Sequence, residues 1–128
     1  MDRGKFRRAV EGRDLEDAMA AFAQDAVLHS PVTFKPIEGR EDIGKILKIV
    51  ARILQDFNYT DQLESKDGTL GLIFRARIGE REVQGIDILR FNRAGLIKDI
   101  TVMMRPRSAI EAFRAEMEAK LGLGDYSA

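Results

Sequence analysis

The sequence predicts an α+β domain in which helices pack on one face of a curved antiparallel sheet. Apolar residues in the first part of the chain recur at helical spacing, whereas from Phe57 onward they alternate with a period of two. The connectors between the later segments are three or four residues long, which suits antiparallel hairpins. Helices followed by a run of such strands indicate the α+β class.

The first two predicted helices are short. The range Arg3–Glu11 is a charged helical segment, and Asp14 is expected to cap the next helix, with Asp17 completing an imperfect capping box. The apolar stripe of this second helix extends to Ala23. A short apolar strand, Ala26–His29, follows and ends before a proline.

The third helix has the widest apolar stripe in the chain. The preceding range Pro31–Gly39 contains two prolines and no helical period, so it is predicted to be a loop. Arg40 then opens the helix. Its stripe consists of Ile43, Ile46, Leu47, Val50, Ile53 and Leu54.

Four strands and a closing helix make up the rest of the chain. The helix is predicted over Ser108–Leu121. Both faces of the third strand are largely apolar, so we expect helices to cover one side of the sheet. A cavity lining or a second subunit would cover the other. The four strands are Tyr59–Ser65, Leu70–Ile78, Val83–Phe91 and Leu96–Met104.

Composition limits the classes of function. The 128 residues suffice for one domain over 1–128 and are too few for two ordinary ones. The 21 basic and 21 acidic residues cancel, which argues against nucleic acid as a partner. The absence of cysteine excludes disulfides and thiolate sites, and a single histidine is too few for a metal site. No apolar run approaches the roughly 20 residues of a membrane span. We therefore expect a cytoplasmic domain with no cofactor, no metal and no membrane partner.

Asp87 is the least expected residue of the predicted sheet. It shares a strand face with the uncharged residues Val83, Gly85, Leu89 and Phe91. Because a buried acid without a partner is costly, three interpretations remain open. The carboxyl group is paired with an arginine such as Arg75 or Arg105, or it is a protonated hydrogen-bond donor in a cavity, or it is catalytic.

Two segments, FAQDAVLHSPV and GIDILRFNRAGLIKDITVMM, resemble the nuclear transport factor 2-like superfamily. This is the cone-shaped, cystatin-like α+β fold of ketosteroid isomerases, SnoaL-type polyketide cyclases and limonene epoxide hydrolases. The resemblance covers roughly Phe6 to Met104 and leaves the closing helix outside. It implies about three to four helices around a curved sheet, an apolar small molecule in the cone cavity and a homodimer formed through the outer face of the sheet.

The match to ketosteroid isomerases is incomplete at the residues that carry their chemistry. Asp87 falls where that family has a protonated aspartic acid in its oxyanion hole. Phe6 stands where the family has its catalytic tyrosine, and Ser30 stands where it has its general base. A serine without an adjacent base is too weakly basic to take a carbon-bound proton. Standard steroid isomerisation is therefore not expected.

The match to limonene epoxide hydrolases is weaker still. That chemistry needs an Asp–Arg–Asp set around a water, and Gly85 stands where the arginine would be wanted. Arg75 or Arg77 on the neighbouring strand would replace it only through a coincidence of register.

His29 is a second candidate for catalysis, as a general base near the mouth of the pocket. If Ser30 faces inward, however, alternation turns His29 outward unless Pro31 bends the chain. Core packing or a dimer face is an equally good explanation for any one of the apolar pocket candidates. The predicted pocket lining is Phe6, Ser30, Phe34, Ile100, Val102 and Met104.

Two hypotheses from different classes follow. The first is a small enzyme of the isomerase, cyclase or hydrolase type that acts on an apolar molecule, with Asp87 as acid or oxyanion donor and His29 as base. The second is a non-catalytic ligand-binding or dimeric assembly module. The two hypotheses differ in one structural requirement, because only the first needs the side chains of Asp87 and His29 to reach the same cavity.

Overall fold

The structure, a computed structural model, describes residues 2–121. Over this range it has four helices and one six-stranded sheet, which confirms the predicted α+β class. No helix in the described range is long and apolar enough to cross a membrane. In chain order the elements are α1 (Lys5–Glu11), α2 (Leu15–Ala20), β1 (Phe22–His29), β2 (Ile37–Glu38), α3 (Arg40–Ile53), β3 (Gln55–Glu64), β4 (Leu70–Ile78), β5 (Arg81–Phe91), β6 (Ile97–Arg105) and α4 (Arg107–Leu121).

The sheet has the strand order β2-β1-β6-β5-β4-β3. The run from β3 to β6 is the predicted antiparallel meander. The prediction of a wholly antiparallel sheet was wrong at one place, because β1 pairs with β6 in parallel. The connection from β1 to β6 contains α3 and four further strands, so the chain can return to the edge of β1 in the same direction.

The predicted end of the second helix was also wrong. Helix α2 ends at Ala20, and Phe22 already belongs to β1, where it is fully buried. The register of β1 against β6 shifts between Phe22 and Val27, so the buried residues of β1 do not keep a strict period of two. This irregularity gave the start of the strand an apolar spacing that resembles a helix. The predicted loop 31–39 likewise contains the two-residue strand β2.

The cap of α2 and the buried face of α4 agree with the sequence prediction. The carboxylate of Asp14 caps α2 by accepting a hydrogen bond of 3.0 Å from the backbone N–H of Asp17, as predicted. Helix α4 buries Ala109, Phe113 and Met117. Helices α3 and α4 contact each other and the sheet, so the core lies between the helices and one face of the sheet.

Strict alternation in β5 determines which face Asp87 occupies. Asp87 is buried on the inner face, together with Gly85. Ile86 and Ile88 lie on the outer face and are half-buried. A Cβ atom at Gly85 would lie 2.3 Å from Cζ of Phe74 and 2.6 Å from the carbonyl oxygen of Met103. Only glycine therefore lets the Phe74 ring cover the strand beside Asp87.

Candidate functional site

A cavity of about 250 Å³ lies between the helices and the inner face of the sheet. Helices α1, α2 and α3 form one wall, β1 and the strands β3 to β6 form the other, and Phe113 of α4 contributes as well. The lining is mostly apolar, which is typical of small-molecule pockets. Its exposed members, Glu11, Arg13, Asp14 and Ala51, mark the opening of the cavity.

Asp87 lies on the inner wall of the cavity and is only 7% exposed. Its Oδ2 accepts a hydrogen bond of 2.9 Å from the hydroxyl group of Tyr59, which is also buried. Burial raises the pKa of Asp87 from its ordinary value of 3.8 to about 7, while the Tyr59 hydrogen bond opposes this rise by favouring the carboxylate. The carboxyl group is therefore a neutral acid over the lower half of the physiological pH range.

Tyr59 is the functional residue that sequence reasoning missed. It lies on β3, with its ring packed edge-on against Phe57 at 4.9 Å and the guanidinium of Arg7 5.6 Å from its ring centre. Burial and the neighbouring Asp87 raise the pKa of Tyr59 well above its ordinary value, so the hydroxyl keeps its proton. The resemblance directed attention to the first helix, where Phe6 stands. The register of β3, which has two irregularities against β4, cannot be read from the sequence.

Within the described range 2–121, no arginine side chain pairs with Asp87. Arg105 donates to Gln84, and Arg77 contacts Asp56 and Gln55 at the exposed edge of the sheet. Arg75 is exposed, on the opposite face of β4 from Phe74. The arginine-paired interpretation was therefore wrong. The Asp–Arg–Asp set of an epoxide hydrolase is not formed either, because the space above Gly85 is filled by Phe74.

Ser30 lies on the cavity wall, as the resemblance implied. Its Oγ accepts hydrogen bonds from the backbone N–H groups of Val32 and Thr33, at 3.2 and 3.1 Å. These bonds stabilise the turn after β1. The hydroxyl proton of Ser30 is then the group that can bind a ligand. Ser30 therefore suits a donor, not a base.

The prediction that His29 reaches the same cavity as Asp87 was wrong. His29 alternates with Leu28 and Ser30, which line the cavity, and its side chain lies on the outer face of the sheet. There Nε2 is 2.9 Å from Oδ2 of Asp99, with both side chains partly exposed. The Pro31 turn does not reverse this orientation. His29 and Asp87 thus lie on opposite faces of one sheet.

Phe34 was also wrongly predicted to line the pocket. It is 99% exposed in the turn after β1, because the chain turns away from the cavity after Pro31. The other predicted lining residues lie on the cavity wall, and their contact with a ligand stays a prediction. They are Phe6, Ser30, Ile100, Val102 and Met104.

No group of three histidine, aspartate or glutamate side chains within residues 2–121 is arranged to hold a metal ion. The polar groups of the inner cavity wall are instead Asp87, Tyr59 and Ser30. Asp87 and Ser30 are hydrogen-bond donors in an apolar surrounding, and Tyr59 positions Asp87 by donating to its Oδ2. Such a set can bind an oxygen atom of a ligand and stabilise negative charge that develops on it.

Comparison with known proteins places this arrangement in a family. The SnoaL-like domain family matches residues 4–100. A steroid delta-isomerase from Pseudomonas aeruginosa is 39% identical, with 92% of this chain and 87% of that one covered and a TM-score of 0.88. An uncharacterized protein with a cystatin-like fold from Silicibacter pomeroyi DSS-3 is 26% identical, over 94% of this chain and 85% of that one, with a TM-score of 0.87.

A more distant neighbour shows the fold alone. It is the Mycobacterium tuberculosis protein RV0760c, solved in complex with estradiol-17β-hemisuccinate, which is 20% identical with a TM-score of 0.62 over 80% of this chain and 93% of that one. No curated protein sequence matches the chain. The family match extends over most of the chain, and the two more similar structures cover 92% and 94% of it. The chain belongs to the SnoaL-like family of the nuclear transport factor 2-like superfamily.

Proposed function

We propose that the protein binds a compact apolar carbonyl compound in its cavity and polarises the carbonyl group through neutral Asp87. The observation that carries this proposal is the Tyr59–Asp87 hydrogen bond at the inner wall of an otherwise apolar cavity. Because Tyr59 donates to Oδ2, a proton on Oδ1 is the one left for the ligand. A carbonyl oxygen is an acceptor that this proton can reach without a counter-charge.

The size of the cavity limits the ligand. Ordinary small-molecule pockets measure roughly 300–1,000 Å³. The value of about 250 Å³ lies below that range, so the cavity encloses a bicyclic compound, or one end of a longer ligand that extends through the opening. The 39% identical steroid delta-isomerase supports a fused-ring carbonyl compound as the ligand class.

The proposed chemistry is the electrophilic half of a proton-transfer reaction. A hydrogen bond from Asp87 stabilises the enolic oxygen that forms when the carbon next to the carbonyl passes its proton to a water molecule that enters through the opening. Among the residues that the structure describes, the inner wall carries no second carboxylate or imidazole to take that proton, and Glu11 and Asp14 lie at the opening. We therefore propose that Asp87 stabilises the enolic form of the ligand, as an enzyme of the isomerase, cyclase or hydrolase type would require. Standard steroid isomerisation is not part of this proposal.

The test compares 2-tetralone with tetralin, a hydrocarbon of nearly the same shape, by isothermal titration between pH 5 and 9. We expect wild-type protein to bind the ketone about tenfold more tightly at pH 6, which is the contribution of one good hydrogen bond. Above pH 7 the affinity for the ketone should fall by about tenfold in all and level off near that for tetralin, because ionised Asp87 has no proton to donate.

Two variants of Asp87 distinguish the effect of its hydrogen-bond donor from the effect of its negative charge. In Asp87→Asn the amide still donates, so binding of the ketone should persist and lose its dependence on pH. In Asp87→Leu the preference for the ketone over tetralin should disappear. Equal affinities for the two compounds in the wild-type protein, or a ketone affinity that rises with pH, would contradict the proposal.

We also propose that two copies of the chain associate through the outer face of the sheet. Ile86, Ile88 and Met103 are apolar and only partly buried there, and Met103 is 54% exposed. Contiguous apolar side chains on an open sheet face are typical of an interface. Sedimentation velocity should give a dimer for the wild-type protein and a monomer for Met103→Glu, and a wild-type monomer would contradict this proposal.

A further inference from the structure

The opening of the cavity carries a positively charged side chain. Arg13 lines the cavity next to Glu11 and Asp14, and all three are exposed. Asp87 is buried on the inner wall of the same cavity. A ligand that fills the cavity therefore has the acid at its inner end and the guanidinium group at its outer end.

The carboxylates beside Arg13 in the chain are engaged elsewhere. Oε2 of Glu11 lies 3.2 Å from Nε of Arg7, and the carboxylate of Asp14 accepts the backbone N–H of Asp17 at 3.0 Å. Within residues 2–121, no carboxylate lies within ion-pair distance of Arg13. The positive charge at the opening is thus available to a ligand.

The backbone of Arg13 supports a role for its side chain. Its φ is 56°, in the left-handed region, at the position directly after the C-cap Gly12 of α1. Glycine and asparagine are the usual residues there, because an L side chain disfavours this conformation. Asp56 is the other non-glycine residue of the described range with a positive φ, and aspartate tolerates that region better than arginine does. Arginine at position 13 therefore has a conformational cost that glycine would avoid.

We propose that Arg13 binds an anionic group of the ligand at the opening of the cavity. The ligand class then narrows from an apolar carbonyl compound to an apolar oxo acid, with the carbonyl group at Asp87 and a carboxylate at Arg13. The planar guanidinium group suits a carboxylate because it can donate two parallel hydrogen bonds. This inference rests on the proposed function, since it assumes that the cavity holds the apolar part of the ligand.

The test uses 2-tetralone with a propanoate chain at position 6 and the primary amide of the same compound. The flexible chain allows the charged group to reach the opening, and the two ligands have nearly the same shape while only the propanoate is charged. We expect the wild-type protein to bind the propanoate about tenfold more tightly than the amide at low ionic strength. The preference should shrink as salt is added. Unlike the effect of Asp87, it should persist from pH 6 to 9, because arginine stays protonated.

The control variants separate the charge from the backbone conformation. Arg13→Gly should lose the preference for the propanoate while its melting temperature equals or exceeds that of the wild-type protein, because glycine adopts the left-handed region without strain. Arg13→Gln should lose the preference without this gain in melting temperature. Arg13→Lys should keep part of the preference, because it keeps the charge. In all three variants the affinity for the amide should stay within twofold of the wild-type value.

The outcomes distinguish this inference from the function on which it rests. If the amide binds but the wild-type protein shows no preference for the propanoate, the inference fails and the proposed function stands. If the preference survives in Arg13→Gly, another group binds the anion and the inference also fails. If neither compound binds to the wild-type protein, the proposed function fails and the inference fails with it.

Discussion

Two aspartates on adjacent strands lie on opposite faces of the sheet, and their environments differ. On the inner face, Asp87 of β5 is buried and its partner is the neutral hydroxyl of Tyr59. On the outer face, Asp99 of β6 is partly exposed and contacts His29. The inner pair lacks a positive charge and has a cavity beside it, whereas the outer pair joins a carboxylate to an imidazole in contact with solvent.

This difference shows why the inner acid is the candidate for chemistry. A carboxyl group whose surroundings favour the neutral form can donate a hydrogen bond near neutral pH, and such groups cluster at functional sites. An exposed carboxylate beside a histidine is common on protein surfaces and contributes little to stability. Three experiments test whether the two faces differ as described.

The largest expected effect is the pH dependence of stability that Asp87 causes. Its pKa rises from 3.8 to about 7 on folding, so the folded protein holds a proton that the unfolded chain has released between those values. The free energy of unfolding should therefore fall as pH rises from about 4 to about 7 and then level off, by about 4 kcal/mol relative to Asp87→Asn. Urea unfolding of both proteins across this range measures the difference.

Asp99→Asn is the matched control for the outer face. It replaces an aspartate on the next strand and leaves Asp87 in place, so the fall in stability that Asp87 causes should remain. A difference between the wild-type protein and Asp87→Asn that stays constant from pH 4 to 7 would mean that Asp87 is not a buried neutral acid.

The second effect concerns packing beside the acid. Gly85→Ala places a Cβ 2.3 Å from the Phe74 ring and 2.6 Å from a backbone oxygen, so the sheet must shift at the inner wall of the cavity. We expect a loss of about 3 kcal/mol in the free energy of unfolding. On the outer face, Gly71→Ala would meet only the end of the flexible Ile86 side chain at 3.2 Å, and we expect a loss below about 1 kcal/mol. Chemical denaturation of the two variants side by side gives the comparison, and equal losses would contradict it.

The smallest effect comes from the Tyr59 hydroxyl. Tyr59→Phe removes the hydrogen bond that favours ionised Asp87, so the pKa of Asp87 should rise above its value of about 7. The free energy of unfolding should fall by about 1 kcal/mol. NMR titration of the Asp87 side-chain carboxyl carbon measures the pKa directly.

His29→Ala serves as the control, because it breaks the pair on the outer face. It should cost less than about 1 kcal/mol and leave the titration of Asp87 unchanged. If the pKa of Asp87 changed in His29→Ala but not in Tyr59→Phe, Asp87 would neighbour His29 and not Tyr59. That result would contradict the placement of the two pairs on opposite faces.

Local patterning allowed much of this site to be predicted. Asp87 was identified because a charged residue interrupts an apolar strand face, and the apolar stripe of α3 identified the helix that covers the cavity. The same reasoning failed at Phe22, where a shift in register removed the period of two, and at Phe34, whose orientation depends on a turn. His29 faces outward as strand alternation indicated, and its candidate role as a base would have needed a bend at Pro31 that the structure does not have.

The sequence by itself determined the elements, the class of fold and the strand face on which Asp87 lies, because helical and strand periods depend on neighbouring residues. Only the tertiary structure decided that Tyr59 is the partner of Asp87, since these residues lie 28 positions apart and meet through the register of three strands. It also decided that β1 runs parallel to β6 and that Arg13 stands at the opening. Register, strand order and the packing of α1 against the sheet depend on contacts between distant segments, which no local period encodes.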